Sequence, residues 1–497
     1  MRHQMDEEGL ELQYAIAIFN AARYDPPPVG KRFPFGWKAA AVGGGENMTA
    51  RLCWPDDADL ACVGEAVQVR LRITAALDVR EELQLEAVAA ESRRRLGVFD
   101  IRYASPLQPF EIELSPAHLE AILGEGLELQ PVSGGNEPFR ILAPDPAFIE
   151  RAPLLFPHLL LVGRDADRPG SRVRHMLRSL ASLSSLQPFG WLEGCVLDGL
   201  TDLGRALADR KFEDAAREHL GLFCDANHVL TYEDPRSEPA DGRVYGIEGT
   251  LPFAAWARLQ PDHPALERAI DLWRSRTRED GVVCGSGMLS AEGSYTVAYP
   301  MAVLARVRGD AELAEKAVRQ LEVRREQLSL PGGELHLRSY ADGSRTFRHW
   351  ARAHAWYLLG LIRTLNELRA AGYSGSGVSR CADEFVRAAN VALGFQANDG
   401  LWSVFVDEPS TGTDASGSAG IAAALALGAN AGLLPASSRT AAGHAWQALL
   451  SHLTPDGILA HVAQSNKGGE ALQRSGYRVM FQMASGLLGQ LYAALRQ

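Results

Sequence analysis

Between Trp350 and Trp356 the chain reads Trp-Ala-Arg-Ala-His-Ala-Trp, two indoles bracketing a guanidinium. The apolar spacing from Tyr357 to Leu368 predicts a helix that this heptapeptide opens. Trp350 and Arg352 then fall in the first turn, with Trp356 between one and two turns after Trp350. An Arg at a helix start opposes the helix dipole, so local structure gives no reason for it there. Such a set suits a planar, anionic, partly apolar ligand such as a uronic acid. An indole stacks on the sugar face while the guanidinium grips the carboxylate through two hydrogen bonds. The competing reading, which composition alone favours, is a core Trp pair with Arg352 bound to a structural carboxylate.

The elements that must position these residues change character along the chain. Residues 1–30 read as a short amphipathic helix, Leu10 to Arg23, followed by the stop Asp25-Pro-Pro-Pro28. Residues 31–165 have β texture: Val67–Thr74 alternates strictly, as do Phe99-Asp-Ile-Arg-Tyr103 and Phe110-Glu-Ile-Glu-Leu114. Alternation with one polar face predicts an antiparallel β-sandwich. After Arg164–Gly170 the pattern becomes helical to the end, with about a dozen stretches joined by short Gly- or Pro-containing loops. Paired as six hairpins, these predict an all-α (α/α)6 toroid over 166–497, its inner helices surrounding a funnel. The loops Gln187–Trp191 and Asn398–Trp402 would bring aromatic and polar groups to its rim.

A formal charge of -11 argues against nucleic acid as a partner, so an acidic ligand must be held by local cations. No segment is apolar and long enough to span a bilayer, and no membrane association is expected. The opening MRHQMDEEGLELQ lacks the apolar stretch of a signal peptide, from which a cytoplasmic location is expected. The six Cys have no CxxC spacing, so isolated thiols rather than zinc ligands are expected. The β region would either cap the toroid or mediate a homodimer.

Trp350–Trp356 resembles the WGRGNGW segment of unsaturated rhamnogalacturonyl hydrolases, glycoside hydrolase family 105. Asp399-Gly-Leu-Trp-Ser-Val-Phe-Val-Asp-Glu-Pro409, followed by Asp414-Ala-Ser-Gly-Ser-Ala419, is similar to that family's DGLW…V.D.P….E(T/A)SGSA stretch. The unsaturated glucuronyl hydrolases, family 88, share the six-hairpin toroid and part of the pattern. The resemblance runs from about Met176 to the C-terminus and leaves the β region unexplained. It implies that Glu292, in the stretch Ala291–Ala305, stands where the family has its catalytic Asp. It also implies a second carboxylate on the preceding hairpin, where Glu248 is the candidate. For substrate contacts it points to Arg352, Trp350, Trp356, Tyr295 and Trp402. His336 is the first candidate for the family's loop His, with His349 second, and His354 stands where the family has Asn. No metal and no organic cofactor is implied.

The chemistry implied is hydration of a Δ4,5-unsaturated uronic acid at an oligosaccharide end. A carboxylic acid protonates C4 while water adds to C5, and the resulting hemiketal opens and expels the aglycone. Such an acid needs a pKa near the working pH, which burial and a second carboxylate supply. Glu292 for Asp, His354 for Asn and the β region depart from the family pattern. An exo-acting β-glucuronidase on saturated glucuronic acid is therefore the alternative, with Glu292 and Glu248 flanking an intact glycosidic bond. A non-catalytic glycan-binding toroid is the second alternative.

Overall fold

Val67–Thr74 becomes the spine of a sheet because its apolar residues Val69, Leu71 and Ile73 share one face. The structure is a computed structural model and describes residues 9–19, 24–44, 48–55, 66–166, 168–285 and 287–497. Its strands before the helices are β1 Leu10–Tyr14, β2 Ala17–Phe19, β3 Ala39–Val42, β4 Ala50–Cys53, β5 Gln68–Thr74 and β6 Glu82–Ala89. They continue as β7 Arg95–Arg102, β8 Pro109–Leu114, β9 Leu127–Gly134, β10 Phe139–Leu142 and β11 His158–Val162, with a short helix α1 at Leu119–Glu125. One sheet runs β1-β11-β5-β8, a second β2-β4-β9-β6-β7, and β10 pairs with β3; the pairings are antiparallel. Leu71, Ile73 and Ile112 of the first sheet share one apolar core with Leu85, Phe99 and Leu129 of the second. This is the expected sandwich.

The helix expected over Leu10 to Arg23 is not formed, and residues 20–23 lie outside the described residues. Leu10–Tyr14 instead pairs residue for residue with β11, Leu10 opposite Val162. Leu10 and Tyr14 are spaced for a helix face, but the unpaired edge of β11 offers a full ladder, and tertiary pairing outweighs local periodicity.

The helical part contains α2 Pro169–Leu180, α3 Trp191–Leu207, α4 Arg210–Leu222, α5 Pro252–Leu259, α6 Leu266–Arg276, α7 Tyr299–Arg308 and α8 Ala311–Leu328. It goes on through α9 Ala351–Ala370, α10 Ser376–Gly394, α11 Ala415–Asn430, α12 Ala436–Leu449, the short α13 Gly469–Arg474 and α14 Gln482–Arg496. Helices α3, α5, α7, α9, α11 and α14 each pack on the next, and α14 packs back on α3, closing a ring. Outside it α4, α6, α8, α10, α12 and α2 each cover one inner helix. Inner helices are walled on all sides, so α11 is apolar or small around its whole circumference. Where α3 and α14 meet, a Cβ on Gly199 would come within 2.5 Å of the Gly486 carbonyl, so this seam requires glycine. Among the described residues no helix is long and apolar enough to cross a membrane.

The periodicity did not reveal a three-stranded sheet, β12 Met288–Ser290, β13 His336–Tyr340 and β14 Arg345–Arg348, inserted between helices. Nor did it place the last helix, expected from 474: α14 starts at Gln482, after α13 and a small β15–β16 ladder, Val462–Ala463 with Arg478–Val479. The polar face of the first sheet is covered by the helical part. Arg72 of β5 is fully buried and bound by Asp456 through two hydrogen bonds, one of 3.1 Å. Lys467 reaches across to Asp78 at 2.6 Å.

Candidate active site

Glu292 is set at a backbone irregularity between β12 and α7. Residues Ser294–Ala298 form one π-helical turn. Pro300 has no N–H to continue the ladder, and the Thr296 carbonyl is taken by the Thr250 hydroxyl instead. Gly293 leaves room for Arg324: a Cβ there would sit 2.0 Å from its buried guanidinium, which is held by Ser290, Gln320 and Val283. Glu292 is 9% exposed, and the Ser290 hydroxyl stands 3.5 Å from its Oε2. Burial, then the charge of Glu248, raise the Glu292 pKa to about 7, while Arg338 and Arg352 pull the other way.

Glu248 lies in a short turn, Ile247–Thr250, that leads into α5. Burial raises its pKa too, with Arg338 opposing. The Glu248 charge favours the protonated form of Glu292, as a like charge close by must. The Tyr245 phenol feels both carboxylates and is held protonated, chiefly by burial. The resemblance had paired Glu292 with Glu248, and in the fold the charge of Glu248 reaches Glu292.

The π-helical turn after Glu292 and helices α3 and α9 contribute packed aromatics. Tyr295 and Trp356 are stacked at 6.0 Å, and Trp191 meets Trp356 edge-on at 5.6 Å. Tyr295 and Trp356 are almost fully buried and only Trp191 of the three is half-buried. The Tyr295 hydroxyl donates to Asp198 at 2.5 Å, and Tyr299 donates to the same carboxylate at 2.9 Å.

Arg352 departs from the expectation of an open carboxylate grip. Its guanidinium is fully buried, donates to the Gln464 carbonyl, and stands 3.7 Å from Asp414, the cap of α11. It also stacks over Trp350 at 4.4 Å. This is the core-Trp, structural-carboxylate reading that composition had favoured. Arg352 is still near enough to lower the Glu292 pKa.

Three other expected contacts lie elsewhere. Trp402 is fully buried and donates to the Ala392 carbonyl at 2.7 Å, tying its loop to α10. His354 faces away from Arg352: it stacks on His349 in parallel, their ring nitrogens 3.2 Å apart, and burial drives its pKa to about 3. Residues two apart on a helix point about 200° apart, so His354 and Arg352 leave opposite sides of α9. His336 is half-buried with Glu334 3.7 Å away. Its neighbour His349 has a left-handed backbone, as has Phe347, and the bonds His349 N–H to Leu335 and Val406 N–H to His349 lock that turn.

Sequence reasoning had not singled out Arg338, whose charge reaches both carboxylates. The signal was present, since Arg338 is two residues after His336 in an alternating stretch and so shares its strand face. Among the described residues no group of three or more His, Cys, Asp or Glu side chains converges to hold a metal ion.

Comparison with known proteins bears directly on this arrangement. Residues 292–484 match Glycosyl Hydrolase Family 88. The matched segment begins at Glu292 and contains Arg338, α9, α11 and the Gln464 loop. Among solved structures, a family 105 glycoside hydrolase of C. acetobutylicum superposes with a TM-score of 0.56 at 18% identity, covering 65% of this chain and 98% of its own. A possible family 105 member from Salmonella enterica gives 0.57 at 14% identity over 67% and 94%. A family 88 glycosyl hydrolase from Bacteroides vulgatus gives 0.51 at 16% identity over 67% and 98%. These structures share the toroid fold, and the family match supports a glycoside hydrolase of divergent sequence. No curated protein matches the chain.

Proposed function

We propose that this chain hydrolyses terminal uronic acids of acidic oligosaccharides, acting on Δ4,5-unsaturated uronyl residues by acid-catalysed hydration. The observation that carries the reading is a buried carboxylic acid, Glu292, whose pKa burial and the neighbouring Glu248 raise to about 7. Glu292 gives its proton to C4 of the enol ether as positive charge develops at C5 and O5. Water then adds to C5, and Glu248 accepts the proton that water loses. The hemiketal opens, the aglycone leaves, Glu248 releases its proton to solvent and Glu292 takes one up. Trp191, the half-buried ring packed edge-on against Trp356, supplies aromatic surface on which a sugar ring can stack.

Incubation with lyase-generated unsaturated disaccharides tests this, since hydration of the double bond removes its ultraviolet absorbance. Loss of that absorbance with release of the aglycone is the expected result. Turnover confined to an aryl β-glucuronide, with the unsaturated disaccharide untouched, would replace hydration by ordinary glycosidic cleavage.

A further inference from the structure

We infer that Arg338, rather than Arg352, is the cation that receives the substrate's carboxylate and makes the site selective for acidic sugars. The inference rests on the uronyl reading above and deepens it. Two guanidiniums act on Glu292, and they differ in whether a ligand can reach them. Arg352 is fully enclosed, held by the Gln464 carbonyl and the Trp350 ring with Asp414 3.7 Å away, and its Nε and Nη1 are buried without a hydrogen-bond partner. Arg338 is half-buried, makes no ion pair among the described residues, and its Nε also lacks a hydrogen-bond partner. An unpartnered guanidinium costs free energy that an arriving carboxylate can recover, and of the two only Arg338 is open to one.

Strand geometry aims Arg338 at the site. On β13, Leu337 and Ser339 are buried on one face, while His336, Arg338 and Tyr340 occupy the other. Arg338 is paired directly with Ser290 of β12, the residue whose hydroxyl approaches Glu292. Cross-strand partners project from the same face, so Arg338 emerges beside the Ser290–Glu292 pair. Its guanidinium carbon lies 5.6 Å over the Phe347 ring, which packs 5.4 Å from Trp350. An aromatic support of this kind fixes the plane of the fork and leaves its edge free for a carboxylate. A cation near both Glu248 and Glu292 also stabilises their ionised forms in the empty site. When a substrate carboxylate occupies Arg338, that support is shared with the ligand and Glu292 holds its proton more firmly. Binding of the acid thereby favours the form of Glu292 that hydration needs.

The test is calorimetric titration of the full chain with an unsaturated uronyl disaccharide and with its C6 methyl ester, alongside turnover of both. Wild-type protein should prefer the acid by about 10- to 100-fold, the scale of a charge-assisted fork. Arg338→Gln should bring affinity for the acid down to that for the ester and leave the ester unchanged, with Arg338→Lys between them. In Arg338→Gln the alkaline limb of the pH profile should move to higher pH. Its cause is the loss of one cation from the set facing Glu292, namely Glu248, Arg338 and Arg352 with the Ser290 hydroxyl. Undiminished preference for the acid in Arg338→Gln overturns the inference while turnover leaves the hydrolase reading standing. An equal loss for acid and ester also overturns it, since that marks a structural role. Binding preference for the acid that depends on Arg338, without turnover of any uronide, upholds the inference and removes the hydrolase reading.

Discussion

The Arg352 guanidinium lies 4.4 Å over the Trp350 ring, and both are held by the same pair of glutamines. Trp350 Nε1 donates to Gln473 at 3.2 Å, Gln473 donates to the Gln464 carbonyl at 2.8 Å, and Arg352 donates to that carbonyl as well. The Gln464 side chain continues to the β region, donating to the Arg102 carbonyl at 2.8 Å. Helix start, C-terminal loop and β-sandwich are thereby joined through one circuit.

Arg352→Lys should therefore act on structure before selectivity. A Lys keeps a charge but loses the planar stack and the fixed fork, leaving Asp414 without a matched partner in a buried site. A stability loss of about 2 to 4 kcal/mol is expected, and acid and ester substrates should lose turnover by the same factor. Thermal unfolding with parallel kinetics on both substrates checks it. A selective loss on the acid at unchanged Tm would return the carboxylate grip to Arg352.

The Arg72–Asp456 pair should make the union of sandwich and toroid acid-labile. Burial opposes ionisation of Asp456, but the Arg72 charge and hydrogen bonds outweigh it and lower the pKa to about 2. A carboxylate whose folded pKa is depressed adds stability that is present above its unfolded value and is lost as pH falls through the folded one. The window is thus from about pH 4 down to about pH 2, and the contribution about 2 kcal/mol. Asp456→Asn should remove this dependence and lower stability at neutral pH, because Arg72 keeps Glu111 alone as carboxylate partner at 2.8 Å. Denaturant unfolding between pH 2 and pH 7 measures both; parallel curves for variant and parent would contradict it.

Turnover should fall as pH rises through about 7, because the proton donor Glu292 is raised to that value and must be protonated to act. Glu248→Gln removes a negative charge that holds the proton on Glu292. The alkaline limb should consequently move to lower pH, with turnover reduced as the acceptor of water's proton is lost. A pH–kcat profile of the variant's residual activity decides this, and a limb that stays in place would separate the two carboxylates.

Long periodic segments were legible in the sequence, and short ones set by partners were not. The inner helices could be read because each is walled by neighbours and carries apolar residues through many turns, as Tyr357 to Leu368 does. Leu10–Tyr14 could not, because a five-residue segment with helix-compatible spacing becomes a strand once β11 presents its edge. Glu292 and Glu248 were found through resemblance, since a lone Glu near a helix start carries no signal of its own. Trp402 and His354 were assigned to the ligand from matching motifs, while their contacts hold the scaffold. Motif identity shows that a residue matters, and only packing shows to what. Arg338 escaped because its strand lies between two helices, where no helical period marks which side chains face inward.

The central claim is that Glu292 donates the proton, and replacing it on a substrate the parent cleaves tests this most directly. Glu292→Gln keeps the shape and the Ser290 contact but has no acidic proton, so kcat on the unsaturated disaccharide should fall by about two to four orders of magnitude with KM little changed. Glu292→Asp retains the acid one methylene shorter and should be far milder. Wild-type turnover by Glu292→Gln would contradict the account and move the donor elsewhere, with Glu248 the first residue to replace next.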